Sequence, residues 1–230
     1  DEVTSLVAKT SGTTIDLSAA GVTDNLANMI NAGAATAKAN LTTTLTADPN
    51  LQVTVNAITN ATSANITDFN KLVELVKAGS GTVIGTISGT AAILNGLSTV
   101  NTDNITLTIT DVNNTSIAGT VLSSIGGKTV GVATVSNEII ITGTTDQATA
   151  ALVTTATKVI AASAKPTLSD TPSIADLNAI AAATGAVTAT IASANQSVLL
   201  HESTGLSTAS TDIITITVAD AVTAQQGADI

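Results

Sequence analysis

Apolar and polar residues recur with two different periods along the chain, and each period predicts a different element. Over 66–78 the apolar positions from Ile66 to Val76 follow helical spacing, which predicts an amphipathic helix. Over 104–110 isoleucine and leucine alternate strictly with threonine, which predicts a strand with one buried face. The Gly79-Ser80-Gly81 run between these segments predicts the end of the helix.

The same patterns predict elements throughout the chain. Further helices are predicted over 26–38, 90–97 and 147–162, and further strands over 13–17, 53–56, 82–88, 128–135 and 138–142. The last two strands flank Ser136-Asn137, which predicts a β-hairpin. The predicted fold class is mixed α/β (α+β), with alternating short strands and helices rich in Ala, Thr and Val.

An internal repeat predicts a tandem duplication. Residues 95–111 (NGLSTVNTDNITLTITD) match residues 204–220 (TGLSTASTDIITITVAD) without a gap at an offset of 109. Upstream, 66–70 matches 174–178, and 81–87 matches 185–191. We therefore predict two modules, residues 1–111 and 112–230.

Three short motifs give the second copy a family resemblance. They are PSIADLNAI at 172–180, GAVTATI at 185–191, and Gly205-Leu206 followed by the ITITV strand. This pattern resembles repeat modules of very large secreted cyanobacterial surface proteins, which often lie beside RTX-type calcium-binding repeats. The resemblance covers about 60–111 and 168–220 and implies an extracellular structural or adhesive role. The chain lacks the Gly-Gly-x-Gly-x-Asp nonapeptides of RTX repeats.

Composition narrows the classes of partner. Hydrophobic residues make up 44% of the chain, almost all of them Ala, Val, Ile and Leu, so a core of small aliphatic side chains is expected. The net charge is −10 and arginine is absent, which disfavours nucleic acids and anionic membranes. No apolar run reaches the ~20 residues that span a bilayer. The near absence of metabolically expensive residues favours an abundant extracellular protein.

Catalytic constellations are missing from the sequence, and we therefore expect a protein that is not an enzyme. The chain has no cysteine and a single histidine, His201, which excludes thiol chemistry and any zinc site built on several His or Cys ligands. Asp68 and Glu74 are better explained by helix electrostatics than by glycoside hydrolysis. No cofactor is expected.

Calcium is the remaining candidate ligand, because hard cations bind carboxylate and amide oxygens. Acidic and amide residues cluster around the 104–110 strand, and two of them recur in the second copy. The candidate ligands are Asp103, Asp111, Asn113, Asp212 and Asp220. The alternative is turn chemistry, since Asp and Asn also favour turns.

The leading functional hypothesis is an extracellular structural protomer of a bacterial surface filament, sheath or layer. We expect it to form a homopolymer with copies of itself or with neighbouring repeats, through terminal strands or module contacts. The candidate assembly residues are Thr13, Ile15, Leu17, Ile214, Ile216 and Val218. The alternative is an adhesin-type module within a long repeat protein, with a carbohydrate or protein ligand and a possible dependence on calcium.

Overall fold

The computed structural model describes Leu17 and residues 21–222. This part of the chain contains twelve strands and eight helices, which confirms the mixed α/β fold class. The chain forms two compact units, and unit one consists of the residues up to Thr110 together with Gly127–Ala133. The predicted module boundary lies one residue beyond the point where the chain first leaves unit one. The tandem duplication of whole modules stays a prediction.

Unit one is built around a parallel sheet. Its elements are β1 (Val22–Asp24), α1 (Leu26–Met29), β2 (Ile30–Asn31), β3 (Thr36–Ala37), α2 (Ala39–Ala47), β4 (Gln52–Ile58), α3 (Ser63–Lys77), β5 (Thr82–Gly89), α4 (Ala91–Leu94) and β6 (Asn104–Ile109). The strand order is β1-β4-β5-β6-β8, where β8 is Ala133–Val135. The β1–β4, β4–β5 and β5–β6 pairs are parallel, and the helices supply the crossovers that parallel neighbours need.

Side chains of this sheet separate onto a buried and an outer face. Along β5, Val83, Gly85, Ile87 and Gly89 are buried, whereas the residues between them are exposed or half-buried. The neighbouring β6 follows the same rule, with Thr86 beside Thr106 and Ser88 beside Thr108 on the outer face. Strand alternation thus produces an apolar inner face and an outer face rich in hydroxyl groups.

The longest helix closes the core of unit one. The N-cap residue of α3, Thr62, accepts the backbone N–H of Asn65, whose side chain returns a bond to the Thr62 N–H. This capping box starts the helix where the apolar periodicity begins. The buried face includes Phe69, which is fully enclosed, and burying a side chain of that size contributes about 2–3 kcal/mol.

Unit two consists of residues 111–126 and the residues from Thr134 onward, and it is also built on a parallel sheet. Its elements are β7 (Ser116–Ala118), α5 (Gly119–Gly126), β9 (Ile140–Gly143), α6 (Thr145–Leu152), β10 (Lys165–Leu168), α7 (Ile174–Ala183), β11 (Thr188–Thr190), α8 (Gln196–Leu199) and β12 (Ile213–Thr215). The strands lie in chain order, β7-β9-β10-β11-β12. We call one strand with the segment leading to the next strand a coil.

Carboxylates connect successive coils of unit two. Asp170 follows β10, and its Oδ1 accepts the backbone N–H and the hydroxyl of Thr145, the first residue of α6, both at 2.8 Å. Asp220 follows β12, and its Oδ1 accepts the N–H of Gln196, the first residue of α8, at 2.9 Å. In both cases a residue of one coil satisfies a free N–H at the helix start of the preceding coil.

The predicted β-hairpin over 128–142 is wrong. The strands β8 and β9 belong to two different sheets, and β9 pairs in parallel with β7 and β10. The alternation that predicted these strands indicates one buried face for each strand. It carries no information on which strand lies next to which.

Two predicted helices are also wrong in extent. The helix over 26–38 is replaced by α1 and the antiparallel pair β2–β3, because Gly33 and Ala35 adopt positive φ and donate their N–H groups to the carboxylate of Asp68. The helix predicted over 147–162 ends at Leu152, where β-branched Val153 and two threonines follow. The predicted strand 13–17 lies outside the described residues except for Leu17, which is in no strand.

Candidate assembly edge

Strand β12 lies at the edge of the unit-two sheet. It pairs in parallel with β11, and the N–H of Ile213 donates to the carbonyl of Val187 at 2.7 Å. No strand within the described part of the chain pairs with its other side. Backbone groups alternate between the two sides of a parallel strand, so the N–H and C=O of Ile214 and Ile216 face the open side.

This edge is more exposed than a core strand. The Ile213 side chain is 66% exposed, and Ile214, Ile216 and Val218 are half-buried. Val218 extends the pairing through an isolated parallel bridge to Ala194. An open edge with apolar side chains is a template for another strand. Three of the six predicted assembly residues therefore lie on one open edge.

The predicted assembly residues near the start of the chain are not brought to this edge. Thr13 and Ile15 lie outside the described residues. The N–H of Leu17 donates to Oδ2 of Asp48 at 2.7 Å, and its carbonyl accepts the N–H of Gly21 at 2.7 Å. These contacts hold Leu17 within unit one.

The turns before β6 and β12 share the same hydrogen bonds. Oδ2 of Asp103 accepts the N–H of Val100 at 2.8 Å, and Oδ2 of Asp212 accepts the N–H of Ala209 at 2.6 Å. In return, each aspartate donates its own N–H to the carbonyl of the same partner residue. These residues lie at the offset of 109 that the sequence match predicts.

Two asparagines form a second matching contact, which sequence reasoning missed. Asn70 on α3 donates to the carbonyl of Gly96 at 2.9 Å and accepts the N–H of Ser98 at 2.8 Å. Asn178 on α7 makes the same two bonds to Gly205 and Ser207, both at 2.8 Å. We call this contact the asparagine clasp. The identity of Asn70 and Asn178 in the aligned copies was the signal that could have revealed it.

The candidate calcium ligands are occupied by other groups of the protein. Asp103 forms an ion pair with Lys77 at 2.7 Å, and Oδ1 of Asn113 accepts the N–H of Glu138 at 3.0 Å. Oδ1 of Asp212 accepts the N–H of Val187 at 2.6 Å, and Asp220 caps α8.

Asp111 accepts the Asn137 side-chain amide through its carbonyl at 2.7 Å. Among the described residues, no three His, Cys, Asp or Glu side chains are grouped so that they would hold a metal ion. These contacts are the turn chemistry that the sequence left open as the alternative. The calcium site stays a prediction without support from this geometry.

Among the described residues, two ionisable groups have a resolved pKa shift, and both shifts have local causes. The hydroxyl of Thr145 donates to Asp170 and, with the backbone N–H, lowers the pKa of that carboxyl group. Partial burial lowers the pKa of the Lys128 ammonium group, which donates to the carbonyl of Leu97 at 2.6 Å. Both groups are held by hydrogen bonds to neighbouring segments of their own unit, so the shifts indicate structural contacts.

The described residues contain one notable cavity and one histidine. A cavity of about 190 Å³ lies in unit one between α2 and α3, with Leu45, Pro49 and Leu75 in its wall and no titratable side chain. His201 is exposed, and its Nδ1 faces the N–H groups of Ser203 and Thr204 at 3.3 Å in a turn. The Ser203 hydroxyl also lies 3.4 Å from Nδ1, and both side chains are exposed in this turn.

None of the helices in the described ranges combines the length and apolar content that crossing a bilayer requires. Comparison of the chain with protein-family models, with curated proteins and with solved structures gives no match.

Proposed function

We propose that this chain is an extracellular structural protomer of a bacterial surface filament, sheath or layer, and that its copies join through strand edges. The observation that supports it best is the edge of β12, where half-buried isoleucines and the exposed Ile213 accompany backbone groups that no strand of the described residues pairs. Addition of a strand there would satisfy those groups and cover the apolar side chains. The part of this proposal that assigns the chain to a large secreted surface protein is supported only by the resemblance of residues 60–111 and 168–220 to repeat modules of such proteins.

Electron microscopy of the purified chain tests the proposal. We expect regular filaments or sheets in negative stain, and a shift to shorter species when Ile213→Lys places a charge on the edge. Thr86→Lys is the matched control, because Thr86 is an exposed threonine on the outer face of β5, away from any edge. Single particles of the unaltered chain at every concentration would contradict the proposal. A parallel sample with a calcium chelator tests whether calcium contributes to the joints.

An adhesin-type binding module is the second candidate. The outer faces of both sheets favour it, because they align uncharged hydroxyl side chains such as Thr142, Thr167 and Thr188 in neighbouring strands. Such a surface offers hydrogen-bond donors and acceptors to an uncharged carbohydrate. Saturable binding to a glycan array by a monomeric chain, lost in Thr167→Val, is the result that would favour this candidate over the protomer.

A further inference from the structure

The peptide bond between Asn95 and Gly96 in unit one lies beside a side chain that can react with it. Asparagine precedes glycine at this one place in the sequence. The backbone nitrogen of a following glycine can attack the asparagine side-chain carbon Cγ, because glycine has no Cβ to hinder the approach. Both residues are exposed, so water reaches the bond. Residue types and exposure therefore meet the first requirements for deamidation.

The local conformation holds the attacking nitrogen back. Asn95 follows α4 in a helical conformation, with φ of −62° and ψ of −19°. The N–H of Gly96 donates to the carbonyl of Ile93 at 3.0 Å. Because the nitrogen must lose this proton before it can act as a nucleophile, the turn has to open before the reaction starts. The rate of deamidation therefore depends on how often this turn opens.

The asparagine clasp of unit one closes the same turn. The Asn70 side chain donates to the carbonyl of Gly96 at 2.9 Å and accepts the N–H of Ser98 at 2.8 Å. Leu97, between these two residues, is buried, and its N–H donates to the carbonyl of Leu94 at 3.1 Å. Movement of Gly96 away from the end of α4 therefore requires the clasp to break.

The second copy has the same clasp without the reactive pair. At the offset of 109, Asn95-Gly96 corresponds to Thr204-Gly205, and Asn178 makes the clasp to Gly205 and Ser207. Threonine has a hydroxyl group in place of the carboxamide, so it cannot form a cyclic imide with loss of ammonia. Unit two thus provides a matched control for the clasp of unit one.

We propose that Asn95-Gly96 is a modification site at which the chain deamidates spontaneously, at a rate that the asparagine clasp sets. The Gly96 nitrogen loses its proton and bonds to Cγ of Asn95, and the side-chain nitrogen leaves as ammonia. Water then opens the resulting cyclic imide at either of its carbonyl carbons. The products are aspartate and isoaspartate, and water is the only co-reactant.

Deamidation in turn weakens the clasp. Both products add one negative charge, and isoaspartate also lengthens the main chain by one carbon atom before Gly96. The Gly96 carbonyl then moves out of register with the Asn70 side chain, and the N–H of Ser98 is released. The reaction is an irreversible switch that loosens the loop after α4 as the chain ages. The site lies in unit one, apart from the β12 edge of the proposed function, so failure of either leaves the other untouched.

Peptide mass spectrometry of aged protein tests the proposal. The unaltered chain and its variants are incubated at mildly alkaline pH, and the fraction of Asn95 converted to aspartate and isoaspartate is measured over time. Asn70→Ala removes both bonds of the clasp and should raise the rate of conversion by about tenfold. Asn95→Thr, which carries the residue of the second copy, should show no conversion at this position.

Two further variants separate the clasp from a general loss of stability. Asn178→Ala removes the clasp of unit two and should leave the rate at Asn95 unchanged. Leu107→Ala opens a cavity in the core of unit one but keeps the clasp, so it should raise the rate less than Asn70→Ala does. The chain unfolded in urea gives the upper limit of the rate, since no turn is held there.

The outcomes decide whether the clasp sets the rate. Equal rates in the unaltered chain and Asn70→Ala would overturn the proposal, as would a larger acceleration in Leu107→Ala. Conversion in urea, with none in either the folded chain or folded Asn70→Ala, would also overturn it, because the native turn would then never reach the reactive geometry. Hydrogen exchange tests the consequence: the Ser98 amide should exchange faster in the deamidated fraction, and an unchanged rate would overturn the release of the clasp.

Discussion

The segments that lead into β6 and β12 share the same contacts, but the two strands differ in what lies on their far side. Both have an aspartate turn and an asparagine clasp with the same partners. Beside β6, residues 128–133 complete the pairing and Leu107 is fully buried, whereas Ile216 beyond β12 stays half-buried. The comparison shows that the residues before each strand form the same turn on their own. The burial of the strand depends on whether a later segment pairs with its other side.

The largest expected effect comes from truncating matched apolar residues. Leu107→Ala should lower the free energy of unfolding by about 3–4 kcal/mol, because it leaves a cavity in a closed core. Ile216→Ala in the monomer should cost about 1 kcal/mol, since its side chain is only half-buried. Urea unfolding followed by far-UV circular dichroism measures both, because the chain has neither Trp nor Tyr for fluorescence. Equal losses of unfolding free energy in the two variants would contradict the difference in burial between β6 and β12.

The next effect concerns the buried hydroxyl of Thr129, in the segment 128–133 that runs beside β6. Thr129→Val keeps the side-chain volume but leaves buried backbone groups of Asp103 and Ile105 without their partner, so we expect a loss of about 2–3 kcal/mol. Thr106→Val, on the exposed outer face of β6, should change stability by less than about 0.5 kcal/mol. Amide hydrogen exchange read by mass spectrometry would locate the loss at β6. A Thr106→Val variant destabilised as strongly as Thr129→Val would contradict the importance of the buried hydroxyl.

The asparagine clasps should contribute similar amounts to the stability of the two units. Asn70→Ala and Asn178→Ala each remove two hydrogen bonds between a helix and the following loop, and each should cost about 1–2 kcal/mol. Hydrogen exchange of the loops after Gly96 and Gly205 measures the local opening. A loss in only one unit would show that the two frames are energetically different despite their shared geometry.

The smallest effect is the pH dependence of the exposed cap on α6. The pKa of Asp170 is lowered in the folded chain by the hydroxyl of Thr145, so the ionised carboxylate stabilises the fold. This contribution is complete above the unfolded pKa of about 4 and is lost as pH falls through the lower folded pKa. The stability difference between the unaltered chain and Asp170→Asn should therefore shrink as the solution is acidified. A difference that stays constant down to pH 2 would contradict the assignment.

Elements with long, regular periodicity were predictable from the sequence. The helix predicted over 66–78 is Ser63–Lys77, and the strands predicted over 82–88 and 104–110 are Thr82–Gly89 and Asn104–Ile109. Their apolar residues face one core, so local pattern and tertiary packing agree. The segment 26–38 failed because a distant carboxylate, that of Asp68, organises its turn.

The candidate edge was only partly predictable. Alternation placed Ile214, Ile216 and Val218 along one strand side, but sheet order decides whether that side is open, and sheet order follows from pairings between distant residues. The roles of Thr129 and Gly131 become visible only in the structure, where both lie against the backbone of Ile105.

The carboxylate caps between coils have a consequence for how the length of this protein can change in evolution. Register partners in unit two, from Ala118 through Thr142, Thr167 and Thr188 to Ile213, are 21 to 25 residues apart. Because Asp170 and Asp220 each complete a helix in the preceding coil, insertion of one whole coil between the coils of β10 and β11 keeps both carboxylates beside their helices. Insertion of part of a coil would separate a helix from its carboxylate and would turn apolar side chains outward. Viable length variants should therefore differ by complete coils.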